Sequence, residues 1–313
     1  MELKEAIEKY GIAIPDNIEE YDKSQYTEFD KMYLGSLYNT FYTNTNDTKV
    51  DLNNIKNRIT VVLGGQTGAG KSALIAETKR ELGKEQKEIV VVDDDQYRKL
   101  FPQGKAILRD CPEHYTKVTA TATNLITPKV LKFASDNGYN FIFDGTMKNS
   151  RIINTMKTWK DYKIYVKIMA ASRPRSLVGI AIRNVELRKI GEEGRFVPIE
   201  DHDETYYGVP QTLRILEKLG LAEEIKIYTR GENALYPNLE FSSKETKGVS
   251  SVDKLIELRQ KDEEKFIETA ENDINYLKKI AEDLSPTERN EIYKTIEIIQ
   301  NEYLNKKNDF FDR

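Results

Sequence analysis

The chain has 313 residues, 39% hydrophobic and 32% charged, and its 48 basic against 52 acidic side chains leave a net charge of −4. That balance argues against a global electrostatic grip on nucleic acid. No run approaches the roughly 18 apolar residues of a membrane span, and the acidic start MELKEAIEKYGIAIPDNIEE lacks the basic end and apolar stretch of a signal peptide. One cysteine, Cys111, and two histidines, His114 and His202, leave no disulfide framework and no cysteine- or histidine-rich metal site. A cytoplasmic protein without membrane contact is expected.

Residues 1–57 read as a mostly helical, tyrosine-rich extension in which Tyr26, Phe29, Tyr33, Leu37 and Phe41 recur at helical steps. From 58 the pattern changes to short apolar runs alternating with helical stretches. ITVVLGG (59–65) is a strand ending in glycine, followed by a helix over Ser72–Leu82. EIVVVDDD (88–95) is a second strand stopped by acid; Tyr115–Ile126 and Lys129–Asp136 are helical, with Pro128 marking a boundary or kink. NFIFDG (140–145) and YKIYVKIMAA (162–171) are the third and fourth strands, a helix runs from near Pro174 to Lys189, and IKIYTR (225–230) is the fifth strand. A loop is expected over 231–250. In the tail, 251–313, Ile267, Ala270, Ile274, Leu277 and Ala281 form one stripe, and Ile292, Ile296, Ile299 and Tyr303 another. Ser285-Pro286-Thr287-Glu288 between them fits a capping box. This helical hairpin either packs on the core or binds a partner. The pattern predicts an α/β fold, a mostly parallel five-stranded sheet covered by helices, with the core at 58–250 between the N-terminal extension and the hairpin.

Gly65-Gln66-Thr67-Gly68-Ala69-Gly70-Lys71-Ser72 fits G-x-x-x-x-G-K-[ST] in full, after a strand and opening a helix. Glycines let successive backbone N–H groups converge on phosphate oxygens, and the helix N-terminus adds partial positive charge. Lys71 is placed to reach the β- and γ-phosphates, and the Ser72 hydroxyl to ligate Mg²⁺. The loop predicts nucleoside triphosphate binding.

Asp93, Asp94 and Asp95 close the second strand, and Asp144 closes the third ahead of Gly145-Thr146. In an open parallel sheet, ligands lie beyond the carboxyl ends of the strands. A carboxylate there holds Mg²⁺ or accepts a proton from an attacking hydroxyl, and Asp144 supports the metal or binds substrate. Among the arginines at 173, 175, 183, 188 and 195, Arg195 lies in the glycine-bearing loop GEEGRFVP, where an arginine can close on a γ-phosphate. Cys111 carries no mark of a nucleophile, and His114 and His202 read as surface or packing residues.

In order and spacing, GGQTGAGKS (64–72), VVDDDQYRKLFP (91–102), GYNFIFDGTMKN (138–149), IRNVELRKIGEEGRFVPIEDHD (182–203) and IYTRGENALY (227–236) resemble the zeta toxin family of bacterial toxin–antitoxin systems. The resemblance implies a P-loop kinase that uses ATP and Mg²⁺ to phosphorylate the 3′-hydroxyl of the amino sugar of UDP-N-acetylglucosamine. It also implies inhibition of cell-wall synthesis and a helical antitoxin as partner. Asp95 is then the base, Arg183 and Arg195 bind the transferring phosphate, and Arg230 joins the 65–72 loop at the nucleotide. Arg98, Asp144, Thr146 and Lys148 fall on the substrate side. Asp144 stands where the family usually has glutamate, and Lys148 where arginine is frequent. Two rival readings are a P-loop kinase for an antibiotic or polynucleotide without a toxin role, and a nucleotide-gated binding module whose helical tail engages a partner.

Overall fold

The computed structural model describes residues 1–10, 58–83, 89–99, 101, 103–111, 114–136, 138–189, 197–233, 235–284 and 286–304. In chain order these form α1 (Leu3–Tyr10), β1 (Ile59–Gly64), α2 (Lys71–Gly83), β2 (Val90–Asp93), α3 (Asp94–Lys99), α4 (Gly104–Asp110), α5 (Tyr115–Asp136) and β3 (Phe141–Asp144). There follow α6 (Arg151–Met156), β4 (Lys163–Met169), α7 (Arg173–Lys189), α8 (Ile199–Leu219), β5 (Glu224–Thr229), β6 (Asn238–Ser242), α9 (Ser251–Ala281) and α10 (Pro286–Ile299). A π-helical turn, Gln300–Leu304, ends the described chain.

The sheet runs β2-β3-β1-β4-β5-β6. The α/β class and the five apolar strands stand as read, with one addition. The stretch taken as a loop over 231–250 holds a sixth strand, β6, antiparallel to β5. Its five residues, NLEFS, bury only Phe241 and Ser242, so the apolar alternation that marks a strand is too short to register. Proline 128 does not divide a helix either: α5 is continuous over 22 residues with Pro128 inside it. A proline deletes one i→i−4 hydrogen bond; the neighbouring buried Thr127 donates its hydroxyl to the Asp94 carboxylate.

By internal contacts the chain falls into two compact units. The first comprises 1–62, 78–145 and 159–164. Its β2 and β3 pair in parallel with Asp93 beside Asp144. A small core joins Ala6 and Tyr10 of α1 to Phe101, Ile107, Cys111, Tyr115 and Val118. The described start of the N-terminal extension, residues 1–10, thus packs on α4 and α5. The helix expected over Tyr26–Phe41 lies outside the described residues.

The second unit comprises 63–77, 146–158 and 165–313. Within it Val178, Ala181 and Val185 of α7 share a core with Phe266, Ala270, Ile274, Leu277, Ile280 and Ala281 of α9 and Ile292, Ile296 and Ile299 of α10. Each fully buried side chain of this kind contributes about 1.5–3 kcal/mol, enough for the apolar stripes of both hairpin helices to hold them on α7. Phe266, rather than the half-buried Ile267, faces that core. Ser250 caps α9 by accepting from the N–H groups of Val252 and Asp253. Pro286 opens α10; Ser285 and the Thr287 and Glu288 side chains of the expected capping box lie outside the described residues. Among the described residues no helix is long and apolar enough to cross a membrane.

Candidate active site

The candidate phosphate-binding loop is built where β1 ends and α2 begins. Gly65, Gly68 and Gly70 take φ of 136°, 77° and 104°, values that side chains with a Cβ rarely adopt. This alternation bends the backbone into a concavity of N–H groups suited to an anion. Lys71 donates from Nζ to the Gly65 carbonyl at 3.0 Å, which holds its ammonium over the loop. The Ser72 side chain is exposed in the first turn of α2, and Ala69 is fully buried.

Two features outside the loop hold its shape. A Cβ on Gly68 would lie 2.1 Å from the Ser176 carbonyl, and one on Gly179 would lie 2.7 Å from the Gly68 carbonyl and 2.8 Å from Arg230 Nη2. The loop and α7 therefore meet backbone to backbone, and Gly179 is needed for that approach. No local signal in the sequence marks it. Arg230 donates from Nε to the Ala69 carbonyl at 3.1 Å and from Nη2 to the Gly68 carbonyl, so its guanidinium braces the loop. Arg183 is exposed on α7. It lies one turn beyond Gly179, on the helix face that meets the loop. Arg195 lies outside the described residues.

Gln66, expected among the nucleotide-binding residues, turns its side chain into the protein. Its side chain is fully buried, with Nε2 donating to the Ala171 carbonyl at 2.8 Å and to Ser176 Oγ at 3.1 Å. Any nucleotide contact from residue 66 must come from its backbone. Ser176 Oγ in turn lies 2.8 Å from His202 Nε2, and His202 Nδ1 lies 2.9 Å from Asp203. The spacing is that of a serine–histidine–aspartate triad, but Ser176 is fully buried and no substrate reaches it. The imidazole is held neutral, since burial pushes its pKa down. His202 is a packing residue, as read, with a polar function inside the fold.

The candidate acidic residues are carried by β2, β3 and α3. Asp93 accepts from the backbone N–H of Asp95 at 2.8 Å, which makes it the N-cap of α3. Burial and the neighbouring carboxylates of Asp144 and Asp95 raise its pKa to about 6. Asp94 takes the Thr127 hydroxyl. Asp95 keeps 39% of its side chain exposed and lies 3.6 Å from the Arg98 guanidinium. Arg98 is itself fixed, donating from Nη1 to the Thr116 carbonyl at 2.9 Å and to Thr119 Oγ1 at 2.8 Å. The three acids are given different surroundings by geometry: Asp93 caps α3, Asp94 binds a threonine, and Asp95 is partly exposed beside Arg98.

Thr146 and Lys148, expected on the substrate side, belong to the segment after β3. Thr146 accepts at its carbonyl from the Gly65 N–H at 3.4 Å, tying this segment to the phosphate loop. Met147 has φ 55°, an uncommon conformation for a residue with a side chain, and its sulfur fills the space a Gly64 Cβ would occupy at 2.8 Å. Lys148 pairs with Glu204 at 3.0 Å on the surface.

A family model described as Zeta toxin matches residues 43–240. The chain belongs to the zeta toxin family. This zeta toxin family chain is 29% identical over 205 residues to Toxin zeta of Streptococcus agalactiae, a match covering 61% of this chain and 70% of that protein. It is 28% identical over 193 residues to Toxin zeta of Enterococcus hirae, spanning 59% of this chain and 66% of that one. Toxin PezT of Streptococcus pneumoniae serotype 4 is 26% identical over 190 residues, covering 59% of this chain and 74% of that protein. Among solved structures, a chain from the PezAT chromosomal toxin–antitoxin system of Streptococcus pneumoniae superposes with a TM-score of 0.63 at 23% identity, covering 83% of this chain and 98% of that one. A chain of the AvrRxo1-ORF1:AvrRxo1-ORF2 complex superposes with a TM-score of 0.58 at 14% identity, covering 93% of each. Both establish the shared fold. The family match stops at 240, so α9 and α10 lie beyond it.

Proposed function

We propose that this zeta toxin family member is an ATP-dependent kinase that phosphorylates the 3′-hydroxyl of the amino sugar of UDP-N-acetylglucosamine, and that this starves cell-wall synthesis. The observation that carries the kinase reading is the loop at 65–72, whose three glycines hold left-handed conformations and whose Lys71 ammonium spans it. In this reading the loop N–H groups and Lys71 take the β- and γ-phosphates. Asp95 accepts the proton of the sugar hydroxyl as that oxygen bonds to the γ-phosphorus, and the bond from γ-phosphorus to the bridging oxygen breaks to release ADP. Arg183 and Arg195 neutralise charge on the transferring group, while Arg98, Asp144, Thr146 and Lys148 orient the sugar nucleotide.

The donor set suits Mg²⁺. Mg²⁺ usually binds through one or two protein oxygens plus substrate phosphates, and the Ser72 side chain is exposed in the first turn of α2. Ser72 would supply the hydroxyl, and the ion, when bound, would neutralise charge between the β- and γ-phosphates. The names of the relatives support a toxin held in check by an antitoxin, and we carry that to this chain as part of the proposal.

A panel of UDP-N-acetylglucosamine, UDP-N-acetylgalactosamine, UDP-glucose, free N-acetylglucosamine, chloramphenicol and a 5′-hydroxyl oligonucleotide tests the reading. Mass spectrometry should show one added phosphoryl group on the UDP-N-acetylhexosamine at a kcat/KM well above the others, and none with Lys71→Ala. Transfer to the antibiotic or oligonucleotide alone would overturn the acceptor and leave a P-loop kinase of another kind. ATP hydrolysis with no acceptor phosphorylated would favour the binding-module reading.

A further inference from the structure

Gln66 is the second residue of the phosphate loop, yet its side chain turns away from the loop's concave face into the protein. Its Nε2 donates to Ala171 and Ser176, and its Oε1 accepts from Arg259 Nη2 at 3.1 Å. Arg259 comes from α9, 193 residues further along the chain and beyond the segment that matches the family. Only 4% of Arg259 is exposed. Its Nη1 donates to the Tyr206 carbonyl at 2.7 Å, and the guanidinium lies 4.1 Å from the centroid of the Tyr206 ring. Among the described residues no carboxylate pairs with it, and Nε has no hydrogen-bond partner. Burial pushes its pKa down to about 10. A buried cation without a counter-charge is a poor device for stability alone, since an apolar side chain of similar volume fills the same space without desolvating a charge. What it does supply is a fixed donor at the Gln66 side-chain oxygen, which completes the set of bonds holding residue 66 in place. Residue 66 lies between Gly65 and Gly68, whose φ values of 136° and 77° set the direction of the loop N–H groups.

We propose that Arg259 is a positioning residue for the nucleotide site: through Gln66 it locks the phosphate loop in its anion-binding shape, so the C-terminal helix α9 is a working part of the kinase. This rests on reading the 65–72 loop as the ATP site. Because loop N–H groups hold phosphate in ground and transition states alike, loss of the lock should weaken ATP binding more than turnover.

The test uses the full chain with Arg259→Met, Gln66→Met and the double variant. Readouts are thermal unfolding, calorimetric titration with a non-hydrolysable ATP analogue plus Mg²⁺, and the KM and kcat for ATP. Arg259→Met should keep its Tm within a few degrees while Kd and KM for ATP rise about tenfold and kcat stays within about twofold; the double variant should be no worse than the weaker single. A folded Arg259→Met with unchanged KM and Kd, or single effects that simply add, would overturn the proposal. If Arg259→Met does not fold, Arg259→Lys and Gln66→Met are read by the same criteria. Wild-type protein that binds no ATP analogue overturns the nucleotide reading itself, whereas wild-type binding with unaffected variants overturns this proposal alone.

Discussion

The carboxylate of Asp93 accepts the backbone N–H of Asp95 at 2.8 Å, and this bond assigns different work to two acids that are nearly adjacent in sequence. Asp93 fixes the first turn of α3. Asp95, displayed by that turn, keeps 39% of its side chain exposed and pairs with Arg98. Asp93 also sits in register with Asp144 on the adjacent parallel strand, so two carboxylates share one end of the sheet. Their repulsion adds to burial in making Asp93 hard to ionise.

That cost has a sign. The folded pKa of Asp93, about 6, lies above its ordinary value of 3.8, so the folded state binds the proton more tightly and stability falls as pH rises from about 4 to about 6. Asparagine caps helices as well as aspartate does but carries no charge. Asp93→Asn should therefore be more stable than wild type at pH 7.5, by on the order of 2 kcal/mol, and nearly equal to it at pH 4. Urea unfolding at the two pH values measures the gap; a gap that does not widen with pH would refute the assignment.

Asp95→Asn tests the proposed base apart from the cap at Asp93. The amide keeps the shape but is not a useful proton acceptor, and general-base contributions run about 10²- to 10⁴-fold. Phosphoryl transfer should fall by that order while calorimetry shows ATP binding retained. If Asp93→Asn shows this profile and Asp95→Asn is near normal, the base is Asp93.

Gly179→Ala tests the close approach of α7 to the loop. The added methyl would sit 2.7 Å from the Gly68 carbonyl and 2.8 Å from Arg230 Nη2, and the backbone carbonyl cannot swing aside as a flexible side chain can. The loop must shift, and Kd for ATP should rise tenfold or more although alanine favours the helix by about 1 kcal/mol. Titration with a non-hydrolysable ATP analogue checks it; unchanged affinity would mean the loop adapts.

Arginines that stabilise a transferring phosphoryl group act in the transition state and contribute about 10³-fold or more to kcat. Arg183→Ala and Arg195→Ala should each lower kcat far more than they raise KM for ATP. A change confined to KM would make either one a ground-state binding residue.

The sequence by itself determined the class of the fold and the phosphate loop. Both are written in local patterns: β-branched runs such as ITVVLG alternating with helices, and glycines at fixed spacing before Lys71 and Ser72. The apolar stripes of the C-terminal hairpin were legible for the same reason, but the fold decided that they pack on α7. Tertiary structure alone decided the rest. The short strand β6 exists because β5 supplies its hydrogen bonds, and α5 runs through Pro128 because its periodicity and packing outweigh one lost backbone bond. The division of labour among Asp93, Asp94 and Asp95 depends on where α3 starts and on Thr127, 33 residues from Asp94. The loop motif places Gln66 by its backbone and says nothing of its side chain, which Ala171, Ser176 and Arg259 hold. Periodicity reports which residues are buried along one element; it carries no record of which distant donor meets which buried acceptor, and that pairing sets the shape of the loop.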